Sequence, residues 1–142
     1  MPTTYEEEED LTELARKVRD LPDFIWRMGM VTTRGVSILT PGVGPPDVPM
    51  LVFNLHAVAW VPRSQLDDHV PDLEDDATGG LLLGWLREKV AGDLKIISGH
   101  RQHASGEPSA NDVMWVISLV GVEIGRGTSI GVAAARALVE VS

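Results

Sequence analysis

The stretch Met50-Leu-Val-Phe-Asn-Leu-His-Ala-Val-Ala-Trp-Val61 decides the fold. It is rich in Val, Phe, Leu, Ala and Trp and is bounded by Pro49 and Pro62. Such a run reads as one long strand or as two short ones around Asn54. Upstream, Phe24, Trp26 and Met28 share one parity, and Val36, Ile38 and Leu39 follow the turn signal Arg34-Gly35. That predicts a hairpin of two short strands over 24–39. Between the two regions, Pro41-Gly-Val-Gly-Pro-Pro-Asp-Val-Pro49 carries too many prolines and glycines to be anything but a loop.

Helical signals flank these strands. Leu11, Leu14, Ala15 and Val18 follow i, i+3, i+4, i+7 spacing, with Arg16, Lys17 and Arg19 toward the end and Pro22 as a stop. Leu82, Trp85, Leu86 and Val90 form a second stripe, which Thr78 or Asp76 is placed to cap. Gly79, Gly80 and Gly84 lower its helix propensity, so close packing on a neighbour has to compensate. Further on, 93–97 reads as a short strand, 98–111 as a loop and 112–122 as a largely buried strand. Gly125-Arg-Gly127 reads as a turn, and Thr128 or Ser129 as the cap of a last helix with Ala133, Ala134, Ala137, Leu138 and Val141 on its apolar face. Strands joined by hairpins, with helices before and after, favour α+β over a doubly wound parallel sheet. The expectation is one two-layer α+β domain over 1–142, with a mostly antiparallel sheet and about three helices, and an acidic 1–9 free to fray.

Composition narrows the chemistry. The chain has 142 residues, 44% hydrophobic and 23% charged, and can bury roughly two-thirds of its unfolded surface without staples. It has no cysteine, which excludes disulfides, thiolate zinc sites, iron–sulfur clusters and cysteine catalysis. No apolar run approaches the ~20 residues of a membrane span, and the start lacks the pattern of a secretory signal, so a cytoplasmic protein is expected. Net charge is −9, from 21 acids against 12 Lys and Arg, which opposes generic phosphate-backbone binding. The acidity lies in two patches: Glu6, Glu7, Glu8, Glu9 and Asp10, and Asp67, Asp68, Asp72, Glu74, Asp75 and Asp76. Acids in the first turn of a helix meet the positive end of its dipole, which explains part of this charge. Glu6 to Glu9, with Asp67 and Asp68, are the candidate partner-binding residues.

No motif fixes a reaction. His100-x-x-His103, joined by His69 and Asp67, has ligand-like residue types but sits in a loop, outside a helical H-E-x-x-H context. It is the candidate metal site of an alternative reading, a small metal-binding or metal-dependent hydrolase domain. A serine triad from Ser98 or Ser105 with these histidines has no G-x-S-x-G elbow behind it. Ile124-Gly-Arg-Gly-Thr-Ser-Ile-Gly131 matches neither the dinucleotide fingerprint nor the P-loop. No cofactor is expected. Trp26, Trp60, Trp85 and Trp115 are four of seven aromatics, expected as core anchors, with a shared aromatic interface as the alternative.

Two resemblances remain. Gly127-Thr-Ser before an Ala-rich helix is similar to the end of double-stranded-RNA-binding domains, but Ile130, Gly131 and Val132 stand where that family places lysines. The charge argues against RNA binding. Leu21-Pro22-x-Phe24-x-Trp26-x-x-Gly29-Met30, Pro71-Asp72-Leu73-x-Asp75-x-Ala77-Thr78-x-Gly80-x-Leu82-Leu83 with Arg87-Glu88, and Thr128 leading into Ala135-x-Ala137-Leu138-Val139 together resemble small phage and prophage proteins. About a third of the chain is covered. Asp76 and Gly79 depart from that pattern, which carries proline and a larger apolar residue there. The resemblance implies a compact α+β unit with Asp75 or Thr78 as a cap, Gly80 as a packing contact, and Trp26 and Leu82 in the core. It implies no activity. The leading expectation is an accessory protein acting by protein–protein binding, with itself or with a host or defence enzyme that it inhibits. A structural, oligomer-forming phage component is the third reading.

Overall fold

The computed structural model describes residues 4–90, 92–100 and 113–142, with side chains from residue 11 onward except at 99, 100 and 113. Among the described residues three α-helices, α1 (Thr4–Arg19), α2 (Asp76–Lys89) and α3 (Ile130–Val141), accompany six strands. Strands β1 (Val36–Ile38), β2 (Pro49–Asn54) and β3 (Ala57–Pro62) make one antiparallel sheet, in that order. Strands β4 (Leu94–His100), β5 (Val113–Leu119) and β6 (Val122–Gly127) make a second antiparallel meander. The chain is therefore α+β, with two three-stranded sheets in place of one.

Helix α3 is the hub. Val132, Ala133, Ala134, Ala135, Ala137 and Leu138 are all buried, because α3 packs against α1, α2, β5 and β6 at once. A helix apolar nearly all round needs neighbours on every side. Its small residues let them come close. Gly125 and Gly127 are not a turn but the inward face of β6: a Cβ at Gly125 would run into the Ala133 carbonyl and come within 2.8 Å of Ala137 N, and one at Gly127 within 2.6 Å of Val132 Cγ1. The turn falls earlier, at Val120-Gly121, where both residues have positive φ. The strand arm before it, β5, is half-buried along most of its described length rather than largely buried, with Ile117 at its buried centre.

Two expectations for α2 are corrected. Its N-cap is Asp75, whose carboxylate accepts from Thr78 N at 2.9 Å, so neither Thr78 nor Asp76 is the capping residue. Gly79, not Gly80, is the close contact: a Cβ on Gly79 would lie 2.9 Å from Gly131 N, whereas one on Gly80 or Gly84 meets nothing within 4 Å. Close packing thus compensates only one of the three glycines. Replacing Gly84 by alanine is expected to stabilise the protein by about 0.5–1 kcal/mol, since alanine reduces backbone freedom in an exposed helix interior. Chemical denaturation measures it, and an unchanged midpoint would contradict an unstrained helix there.

The hairpin expected over 24–39 has one true strand arm. The return is β1, while the outgoing arm touches it through the isolated bridge Val31↔Ser37 and the bonds Ile38 N to Met30 O and Thr32 N to Val36 O. Gly29, at φ 98°, interrupts that arm. Met50 to Val61 resolves into the two-strand alternative, β2 and β3, with the turn at Leu55-His56 just past Asn54 and the register Met50↔Val61, Leu51↔Trp60, Val52↔Ala59, Phe53↔Val58 and Asn54↔Ala57. Buried residues from both sheets and all three helices form one cluster.

Candidate functional site

The first sheet has two unlike faces. Val36, Ile38, Met50 and Val52 point inward and are buried, as the period-two alternation of a half-covered sheet requires. The opposite face carries Ser37, Leu51, Phe53, Val58 and Trp60. A half-covered sheet ordinarily shows polar side chains there. Here Phe53 is 40%, Val58 56% and Trp60 64% exposed, and Leu55 at the hairpin tip is 76% exposed.

Strand β3 is uncovered on both faces, since even Ala57 and Ala59, on the inward parity, are exposed. It is also the sheet edge. Leu51 sends its carbonyl to Leu39 N at 2.9 Å and its N–H to Thr40 Oγ1 at 2.8 Å, toward the β1 side. In an antiparallel ladder the residue opposite then turns its own backbone groups outward. The N–H and C=O of Trp60, and of Val58 two residues earlier, therefore face the free edge. Within the strand there is no charge, no internal proline and no bulge, the usual protections of an exposed edge. At the tip, Leu55 holds φ 55°, a conformation that favours glycine or asparagine.

The residues singled out from sequence are scattered. Glu6, Glu7, Glu8 and Glu9 lie in the first turns of α1. Asp67 and Asp68 are exposed beyond the short 3-10 turn Arg63–Leu66, next to the other end of that helix, where Arg19 donates to Asp67 O at 2.9 Å. At 1.5 Å per residue, the two acidic groups stand about 15–20 Å apart along α1. They do not form one surface patch. Among the described residues no group of three or more His, Asp or Glu side chains is placed to hold a metal. The His100 side chain and all of His103 lie outside the described residues.

His69 instead has a structural partner. Its Nδ1 lies 3.2 Å from Thr32 Oγ1, a hydroxyl that already accepts from Arg34 N and Val36 N, each at 3.2 Å. The hydroxyl proton is thus free for Nδ1, which makes the neutral ring the better fit. Burial pushes the His69 pKa down, the Arg34 charge adds to this, and Asp68 opposes it. The unfolded chain then binds a proton more readily than the folded one. Stability is full above the ordinary value of 6.5 and falls as pH drops from there toward the depressed folded value. His69→Gln is expected to flatten that segment of a stability-versus-pH curve, and an unchanged slope would show that another group titrates.

Two concavities among the described residues hold cations that already have partners. A cleft of about 200 Å³ lies between Arg19, Phe24, Trp26, Arg63 and Asp67. Its two cations are engaged: Arg19 with the Asp67 and His69 carbonyls and the Asp20 carboxylate, Arg63 with Pro45 O. A shallower groove of about 480 Å³ along α1, α3 and β6 pairs Arg126 with Glu123 and Arg136 with Arg126 O. Neither lining includes a serine, threonine or histidine. Of the four tryptophans, Trp26 and Trp85 are buried and Trp115 is half-buried, so Trp60 is the one that departs from the core-anchor expectation. The Ala-Val-Ala-Trp-Val run looks like a covered strand because it is apolar on both parities. The one local sign of exposure is Leu55 between Asn54 and His56, an apolar residue at a turn. No described helix is long and apolar enough to cross a membrane. Comparison with protein-family models, curated proteins and solved structures finds no match to this chain.

Proposed function

We propose that this chain is a protein-binding accessory unit of phage or prophage type, which docks its partner on the outer face and free edge of the β2–β3 ribbon. The observation that carries the reading is Trp60, 64% exposed on an uncharged edge strand that no described element covers on either face. Tryptophan is the residue most enriched in interface hot spots, and an open strand edge offers backbone hydrogen bonds to an incoming strand. The phage-type part of the reading rests on the Trp-x-x-Gly-Met and Pro-Asp-Leu-x-Asp-x-Ala-Thr-x-Gly stretches. Inhibition of a host or defence enzyme is one form such binding takes. The acidic groups Glu6 to Glu9 and Asp67 with Asp68 act at longer range, steering basic surfaces inward and repelling acidic ones.

The test compares the wild-type chain with Trp60→Lys as baits in a lysate of the source cell. A stoichiometric protein retained by the wild type, either a host protein or the unlabelled chain itself, and lost from Trp60→Lys supports the reading. Identical recoveries from the two baits sink it.

A further inference from the structure

The β2–β3 ribbon has a geometry that names its occupant. We infer that a second copy of this chain docks antiparallel on β3, with Ala59 on the two-fold axis, so that two three-stranded sheets join into one continuous sheet. This rests on the docking reading above and specifies its partner.

The register follows from the backbone. Only Val58 and Trp60 turn both N–H and C=O to the free edge within the strand, because Leu51 directs its own groups toward β1. Pairing about Ala59 sets Val58 opposite Trp60 of the second copy, twice, and uses all four outward pairs of groups. Pairing about Trp60 would oppose Val58 with Pro62, which has no N–H to give. Pairing about Val58 would oppose Trp60 with His56, which belongs to the turn. The Ala59-centred register also makes two Trp–Val cross-strand pairs on the outer face, the kind of aromatic and β-branched contact that stabilises sheets.

Local charge and exposure permit this pairing. Residues 48–62 contain no Asp, Glu, Lys or Arg, so two chains of net charge −9 can meet there without opposing like charges directly. A strongly basic foreign partner would find no complementary charge on this ribbon. Phe53 to Pro62 is exposed at every position but the half-buried Val61, so no described element of the chain already occupies the ribbon. Two-fold pairing of one patch with itself is the commonest route to a closed oligomer.

The experiment exploits the absence of cysteine. In this register the two Ala59 residues form a non-hydrogen-bonded pair, with Cα atoms about 4.5 Å apart, within disulfide reach. Purified wild-type chain is expected at twice the chain mass in light scattering, dissociating on dilution. Ala59→Cys should cross-link nearly completely under mild oxidation, whereas Ala57→Cys, which faces Val61 of the second copy, should not. Trp60→Lys should be monomeric with unchanged far-ultraviolet circular dichroism, since Trp60 is exposed. Val58→Lys, on the same face, provides a second disruption. A wild-type chain that stays monomeric at millimolar concentration overturns the inference, as does a dimer that survives both lysine variants or fails to cross-link through position 59. A monomer that still captures a foreign protein through Trp60 would leave the docking reading standing and remove only the self-pairing. A monomer whose lysate recoveries are indifferent to Trp60→Lys would remove both.

Discussion

Gly125→Ala is expected to destabilise the protein by about 3 kcal/mol, the upper end of ordinary overpacking costs. The added methyl would meet the Ala133 carbonyl, Ala137 N at 2.8 Å and Ala137 Cβ at 2.9 Å. Two of those three obstacles are backbone atoms of α3, which no rotamer change can move aside. Helix α3 cannot retreat as a body either, because α1 and α2 pack on it as well. Thermal unfolding should show a fall in midpoint on the order of 10 °C. Gly121→Ala is the control, since it sits at an open turn where a Cβ meets nothing within 4 Å, and only its φ of 81° opposes a side chain. If Gly125→Ala costs no more than Gly121→Ala, the close approach of β6 to α3 is wrong.

Thr78→Val is expected to cost about 2 kcal/mol, although valine matches threonine in shape. Thr78 is fully buried, and its hydroxyl is used twice: it donates to Asp75 Oδ2 at 2.9 Å and accepts from Val31 N at 2.9 Å. Valine leaves the Val31 N–H without its acceptor in a site closed to water, and an orphaned buried donor costs about 1–3 kcal/mol. The Asp75 carboxylate keeps the Thr78 N–H and so still caps α2. Thr78→Ser retains both hydrogen bonds and should recover most of the loss, giving up only a methyl group. Urea denaturation of the pair separates the two roles, and equal losses in Val and Ser would show that packing of the methyl, not the hydroxyl, matters. Thr78 therefore ties the start of α2 to the segment that leads into β1, a link between two regions 47 residues apart.

The legibility of this fold follows the range of the forces involved. The capping of α3 by Ser129, the apolar face of α1 and the split of Met50 to Val61 next to Asn54 are local matters, decided within a few residues, and the sequence pattern narrows each to one or two readings. Gly125-Arg-Gly127 and Gly79-Gly80 mislead because glycine serves turns, frayed helices and tight crossings alike. Which of these applies depends on whether another backbone arrives at that spot. At Gly125 and Gly79 one does, and at Gly80 none does. Candidate sites behave similarly. The sequence sets Glu6 to Glu9 and Asp67 with Asp68 in two patches, and only the fold shows that α1 stands between them, about 15–20 Å along its axis. His69 has the residue type of a ligand and the surroundings of a core support.

By itself the sequence determines the α+β class, the three helices, most of the strands but not β6, and an acidity concentrated at two places, because periodicity, capping and composition act locally. Tertiary structure alone decides which strand is an edge and which apolar face is left open. Ala57 to Val61 and Val113 to Ile117 are equally apolar runs, but β5 is flanked by strands on both sides and lies against α3, while β3 has a neighbour on one side and, among the described residues, cover on neither face. Burial belongs to the neighbours a residue acquires, and no property of Trp60 within its own segment distinguishes it from Trp115.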